Sequence, residues 1–288
     1  MKLKGFIYAV ISAIFFGSAG IFVKNGFSEA FSSVDLLMLQ YIIASVILFA
    51  MCFLRYRSKL VLSRDSLKRL LIQGAIGNTL MTVFFYKSFE YLDVAVTTML
   101  LFTYPAMVAL SSFFIYRVKI SRTKVLSILG TFGGCLLILD LGSKGGHISW
   151  LGVAFGLLSA IFYSFMNIYA EKIVEDIPGL VITFYTTIIS LVVLLIFNFG
   201  FVEKLTMVTW PAVNNAALLA FFCEIIPLTL LYEAIKRIGP VSTAIISSIE
   251  LPASALIAFV VLGEHLAWLQ IAGILLVIYC VIQLKNEH

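Results

Sequence analysis

Apolar runs of about 20 residues recur along this chain from end to end, separated by short polar loops. A helix of that length rises about 30 Å, the thickness of a bilayer's hydrocarbon core. Ten such runs are legible, at 5–24, 34–54, 68–90, 94–116, 122–141, 149–172, 178–199, 212–235, 239–262 and 266–284. They predict an all-α integral membrane protein of ten transmembrane helices. Composition excludes the soluble alternatives: 61% of residues are hydrophobic and 12% charged, against roughly a quarter charged in an ordinary soluble domain. Breakers mark the boundaries, with Pro178 and Gly179 opening the seventh run and Gly239 and Pro240 the ninth. Lys2 and Lys4 precede the first run without a small-residue cleavage site after it, so that run reads as a retained helix.

The basic residues sort by loop. With the N-terminus inside, sixteen of the 20 Lys and Arg residues fall on the inner side, and only Lys24, Lys87, Lys144 and Lys204 lie outside. The positive-inside rule then predicts both termini in the cytoplasm. A net charge of +5 is accounted for by these loops, and no nucleic-acid surface is expected.

Sliding the chain along itself by 147 residues uncovers an internal repeat. Gly5, Ser12, Ala13, Ile14, Phe15 and Ile21 land on Gly152, Ser159, Ala160, Ile161, Phe162 and Ile168, and Pro105 lands on Pro252. Tyr86 meets Tyr232 after a one-residue slip. Two five-helix repeats follow, 1–143 and 148–288, flanking the glycine-rich stretch from Gly142 to Gly146. Five is odd, so the second repeat enters the membrane from the opposite side and the topology is inverted. Inverted repeats suit transporters, because two related halves can exchange inward-open and outward-open shapes around a site at the midplane.

Two carboxylates carry the sharpest chemical signal. Glu224 lies near the middle of the eighth run and Glu250 near the middle of the ninth. An acidic side chain there costs on the order of 3 kcal/mol on insertion scales, so it should face a polar cavity or a partner. The bland reading is a hydrogen-bonded Glu that ties helices together. The local repeat offset sets Asn78 against Glu224 and Thr103 against Glu250, placing polar groups in both halves. Pro105, Pro227 and Pro252 can kink the helices beside them. Phe15, Tyr86, Tyr104, Tyr163, Tyr185 and Tyr232 flank these positions and can stack on an organic substrate or hold a cation against a ring. As single residues they more often read as core filling or interfacial belt. The stripes Ala9, Ala13, Gly17, Gly20 and Gly156, Ala160, Ser164 read as close helix packing, and Trp150, Trp210 and Trp268 as interfacial anchors.

Other chemistries find no foothold. Cys52, Cys135, Cys223 and Cys280 lie inside apolar runs without CxxC spacing, and His147, His265 and His288 are scattered, so no metal or cofactor is expected. No GxSxG, HExxH or Walker lysine loop is present, and the chain is not expected to be an enzyme.

The chain resembles the ten-helix EamA-type members of the drug/metabolite transporter superfamily. The resemblance rests on Tyr232 and Ala234, then Glu250-Leu251-Pro252, Leu262-Gly263-Glu264, Gln270 and Gly273, answered in the first half by Tyr86, Ser88, Tyr104 and Pro105. It implies a metabolite carrier, commonly an exporter of amino acids or related molecules, in a bacterial inner membrane. The related four-helix multidrug exporters use a Glu in their first helix for protons and drug; the first run here has no acidic residue, so that mechanism does not carry over.

The expectation is a secondary transporter, functional as a monomer, that binds an amine-containing solute or amino acid near Glu224, Glu250, Asn78 and Thr103, with protons as a possible partner. The alternatives are a facilitator or importer of a neutral or anionic metabolite with structural glutamates, and, further off, a membrane enzyme or lipid-handling protein.

Overall fold

A computed structural model describes residues 2–18, 33–92, 94–117, 120–139, 149–263 and 265–286. The segment joining the two repeats, with Lys144 and His147, lies outside the described residues, as do Gly20, Lys24, Glu264 and His288.

The described chain is helical and carries no strand. The first half comprises α1 (Lys2–Gly17), α2 (Ser33–Tyr56), α3 (Arg64–Ile72), α4 (Thr79–Phe89), α5 (Val94–Leu101), α6 (Tyr104–Tyr116) and α7 (Arg122–Leu139). The second comprises α8 (Trp150–Val174), α9 (Gly179–Phe197), the short α10 (Phe201–Lys204), α11 (Trp210–Leu219), α12 (Ile226–Ser247), α13 (Glu250–Leu262) and α14 (Trp268–Asn286). Among the described residues, six stretches are long and apolar enough to cross a membrane: Val34–Lys59, Val96–Ile115, Arg122–Leu139, Trp150–Val174, Gly179–Phe197 and Trp210–Ser247. Trp150, Trp210 and Trp268 each begin a helix and are largely exposed.

Trp210–Ser247 is 38 residues long, about 57 Å if straight, nearly twice the hydrocarbon thickness. The chain breaks it at Gly239, whose φ of 77° and ψ of 165° suit only glycine, with Pro240 next. The predicted boundary between the eighth and ninth runs falls on this break.

Irregularities recur at the repeat period. A π-helical segment spans Gln73–Asn78 between α3 and α4, and a second spans Ala220–Ile225 between α11 and α12. Short turns further along match at nearly the same period: Phe102 and Thr103 separate α5 from α6, and Ser248 and Ile249 separate α12 from α13. Unwound backbone is tolerated at membrane depth only where protein or a cavity covers it.

The two halves interlock through their small-residue stripes. A side chain at Gly5 would strike Arg237 and Ile238 of α12; one at Gly152 would strike Tyr91 and Leu92 at the end of α4. These partners are themselves 146 residues apart, within one of the repeat period, so each half's leading helix packs on the other half's body. Ser12 strengthens the first contact, donating from Oγ to the Pro227 carbonyl at 2.7 Å. At the periphery α7 and α14 meet glycine to glycine, where a side chain at Gly134 or Gly273 would overlap the other's carbonyl.

Candidate functional site

The two irregular segments bring the predicted carboxylates to one cavity. Glu224 stands on the Ala220–Ile225 π segment and is 7% exposed. A π turn admits one extra residue into the hydrogen-bond ladder and rotates the side chains around it, and such turns are frequent at functional sites. Thr187 of α9 donates from Oγ1 to Glu224 Oε1 at 2.8 Å. Glu250 is the first residue of α13, immediately after the Ser248–Ile249 turn, so the break delivers its side chain. Both line a cavity of about 180 Å³.

Asn78, the last residue of the first-half π segment, joins them in the wall. Its Nδ2 donates to Ser190 Oγ at 3.0 Å and to the Tyr41 hydroxyl at 3.4 Å. Ser190 passes the chain on to the Gly74 carbonyl at 3.2 Å, an acceptor inside the same π segment. The polar network thus satisfies the irregular backbone and orients the wall together.

Tyr86 and Tyr163 line the cavity as well. Tyr104 sits behind Tyr163, ring centroids 4.2 Å apart, with its hydroxyl donating to the Ala244 carbonyl at 3.2 Å. Tyr232 is fully buried and its hydroxyl accepts from Gln73 Nε2 at 3.3 Å. Neither is in the wall. Phe15 stacks on Phe222 at 5.7 Å, and its neighbour Phe16 faces the cavity instead. Thr103 is spent on a bond to the Leu100 carbonyl at 2.7 Å. Tyr185 lies away from the cavity, donating to the Leu60 carbonyl at 2.7 Å.

Pro105 and Pro227 occupy the first turns of α6 and α12, and Pro252 the third position of α13. Pro105 follows the Phe102–Thr103 turn, where a missing N–H loses little, whereas Pro227 follows the π segment without a break and so removes one hydrogen bond from a continuous helical stretch.

The wall also holds groups that the sequence reading passed over: Gln40, Tyr41, Thr82, Phe85 and Cys223. Thr187 belongs with them through Glu224. Its signal was a polar stripe at helical spacing on α9, Thr183, Thr186, Thr187 and Ser190, all buried in an otherwise apolar helix. No Lys, Arg or His is among the described lining residues, and no group of three or more His, Cys, Asp or Glu among the described residues could hold a metal ion.

A helical membrane body of two interlocked repeats, with a buried acidic cavity between them, defines a multi-pass transporter. Comparison with known proteins agrees. The sequence matches the EamA-like transporter family twice, over residues 3–140 and again over 150–284. The chain belongs to that family, whose members are transporters and not enzymes. It is 22% identical to an uncharacterized transporter of Clostridium kluyveri over 96% of this chain and 91% of the other. It is 24% identical to the uncharacterized inner membrane transporter YicL of Salmonella typhimurium, over 99% and 96%. A solved crystal structure shares the fold with a TM-score of 0.83 at 13% identity, covering 98% of this chain and 96% of that one.

Proposed function

We propose that the chain is a secondary transporter that exports small solutes carrying an amine and a net positive charge, by alternating access and in exchange for protons. One observation carries the reading: the described cavity wall presents two carboxylates, several aromatic rings and no basic side chain. An amine gains a charge-assisted hydrogen bond at Glu224 or Glu250 and a ring face from Tyr86 or Tyr163. A solute carboxylate finds no cation there, which places simple amines ahead of zwitterionic amino acids and ahead of anionic metabolites. A carboxylate vacated by an amine can take a proton, because desolvation disfavours an unpaired buried charge.

The same reading takes the chain as ten crossings in two inverted repeats, with both termini in the cytoplasm. The loops assigned to the inner side do meet: Arg69 Nη1 donates to the Lys172 carbonyl at 3.0 Å and Lys236 Nζ to the Glu175 carbonyl at 3.2 Å. Residues assigned to the outer side meet separately, where Lys204 pairs with Asp35 and Asn198 Nδ2 donates to Asp35 Oδ1 at 3.2 Å. Two halves with their own interlock make a complete pathway within one chain, so the working unit is the monomer in a bacterial inner membrane.

The test is a thermal-shift panel on purified protein, comparing primary and quaternary amines, polyamines, amino acids, nucleosides and sugars, because a ligand that binds only the folded state raises its stability. Stabilisation by amines, lost in Glu224→Gln and Glu250→Gln, is the expected result. Stabilisation by a neutral or anionic solute that both variants retain would move the glutamates to structural roles and favour a facilitator or importer.

A further inference from the structure

A second cavity, of about 550 Å³, lies at the other end of α1 from the acidic one. Tyr8 faces it, eight residues and about 12 Å before Phe16. Its walls come from both repeats: α1 and α2 of the first, α9 and α12 of the second.

The lining divides into an apolar and a charged part. Met51 and Leu54 of α2 form an apolar side that opens outward, Leu54 being 86% exposed. Leu180 and Leu230 continue it inward. The charged part is Arg55, Glu233 and Arg237. Arg237 is committed within the protein, since its Nη1 pairs with Glu233 and its guanidinium lies over the Tyr8 ring, 4.8 Å from the centroid. Glu233 is committed too, its Oε1 accepting from Gly179 N at 3.0 Å. Arg55 is different. It rests 5.8 Å over the Tyr56 ring, and no carboxylate among the described residues forms an ion pair with it. The lining therefore carries one uncompensated positive charge beside an apolar slot, on the last turn of a membrane helix.

An amphipathic ligand with one negative charge and a hydrocarbon chain is the complement of such a site. We propose that this cavity binds an anionic phospholipid, its phosphate on Arg55 and an acyl chain against Met51 and Leu54. A basic residue on the last turn of a membrane helix can reach lipid headgroups, and the guanidinium fork suits a phosphate oxygen pair. Because the walls belong to both repeats, the bound lipid braces the two halves at this end of the bundle. The inference is independent of what the acidic cavity carries.

Native mass spectrometry of the purified protein, titrated with equal concentrations of phosphatidylglycerol and phosphatidylcholine of matched chains, tests it. A basic residue near a membrane surface contributes on the order of 1 kcal/mol toward an anionic lipid, so about fivefold greater retention of phosphatidylglycerol is expected. Arg55→Gln should bring the two lipids to within about twofold of each other. Arg57→Gln should leave the preference intact, since Arg57 rests on Phe53, 4.9 Å from the ring centroid, and is not part of the cavity wall. Arg55 is exposed, so the variant is expected to fold, and an unchanged melting temperature in detergent checks that it does. Equal retention of both lipids by the wild type, or a preference that survives Arg55→Gln, would overturn the proposal. Displacement of phosphatidylglycerol by inorganic phosphate would assign the site to a free anion and overturn the lipid reading equally.

Discussion

Replacing Glu224 with Gln removes one negative charge from the acidic cavity and leaves its shape nearly unchanged. The amide oxygen can still accept from Thr187, which now bonds Oε1 at 2.8 Å, so the side chain keeps its anchor. What changes is the bond offered to an amine. A hydrogen bond to a charged group is worth about 1.5–3 kcal/mol net and a neutral one about 0.5–1.5. The substitution should then weaken amine binding by about 1–2 kcal/mol, a roughly 5- to 30-fold rise in Kd. Full Coulomb attraction between unit charges 4 Å apart, about 4 kcal/mol at an effective dielectric of 20, sets the ceiling near a thousandfold. Thr187→Val is the matched comparison: it removes the anchor and keeps the charge, so Kd should move by no more than about threefold. Isothermal titration of nanodisc-embedded protein with the strongest amine of the thermal-shift panel measures the wild type, these two variants and Glu250→Gln. A Kd unchanged within about twofold in both Glu224→Gln and Glu250→Gln would refute the reasoning, as would a larger loss in Thr187→Val than in Glu224→Gln.

Further outcomes are expected. Arg117, at the end of α6, is held at φ 53°; Arg117→Gly should raise stability by about 0.5–1 kcal/mol, read as a higher melting temperature in detergent. The corresponding position at the end of α13 already has Gly263 at φ 68°, and Gly263→Ala should lower it by about 1–2 kcal/mol. A side chain at Gly17 would overlap the Glu250 carbonyl and crowd Ala253; Gly17→Ala should cost about 1–3 kcal/mol and weaken amine binding with it, whereas Gly133→Ala, with open space around it, should be silent in both assays. For topology, alkaline phosphatase fused after His288 should be inactive and a fluorescent protein at the same site bright, and the reverse pattern would overturn the orientation.

The helices were largely legible because each depends on a long apolar run, and the break between the eighth and ninth runs was legible because Gly239 and Pro240 permit little else. The repeat was legible too, and it pointed at Asn78 and Glu224 together. What sequence did not carry was rotation. Successive helical residues point about 100° apart, so an error of one position exchanges Phe15 for Phe16 at the cavity wall, and Tyr104 and Tyr232 fall behind it for the same reason. The two π segments are of equal length and match at an offset of 147, so the slip to 146 at Tyr86 and Tyr232 arises beyond them. Glu224 sits inside a π segment, so neither its orientation nor its bond to Thr187 follows from its place in an apolar run.

The cavity is less symmetric than the fold that holds it. Both repeats supply a π segment and a broken helix at matching positions, but Glu224 and Glu250 come from the second repeat, while the first contributes neutral Asn78, Tyr41 and Tyr86. The second repeat's glutamates are also its fixed points: Thr187 holds one, and the Gly17 face of α1 packs on the backbone of the other. On the transport reading, charge recognition therefore stays with one half while the other supplies the neutral wall that must part from it. The interlock adds a constraint, since α1 packs on α12 and α8 on the end of α4, so neither body moves without carrying the other's leading helix. On that reading, a change of access would be a rocking of two mixed bodies, α1 with the second half and α8 with the first, about the cavity that Asn78 and Glu224 both line. The small residues at Gly5 and Gly152 hold each leading helix to its adopted body, and the polar wall, with its replaceable hydrogen bonds, is where the bodies would separate on the transport reading.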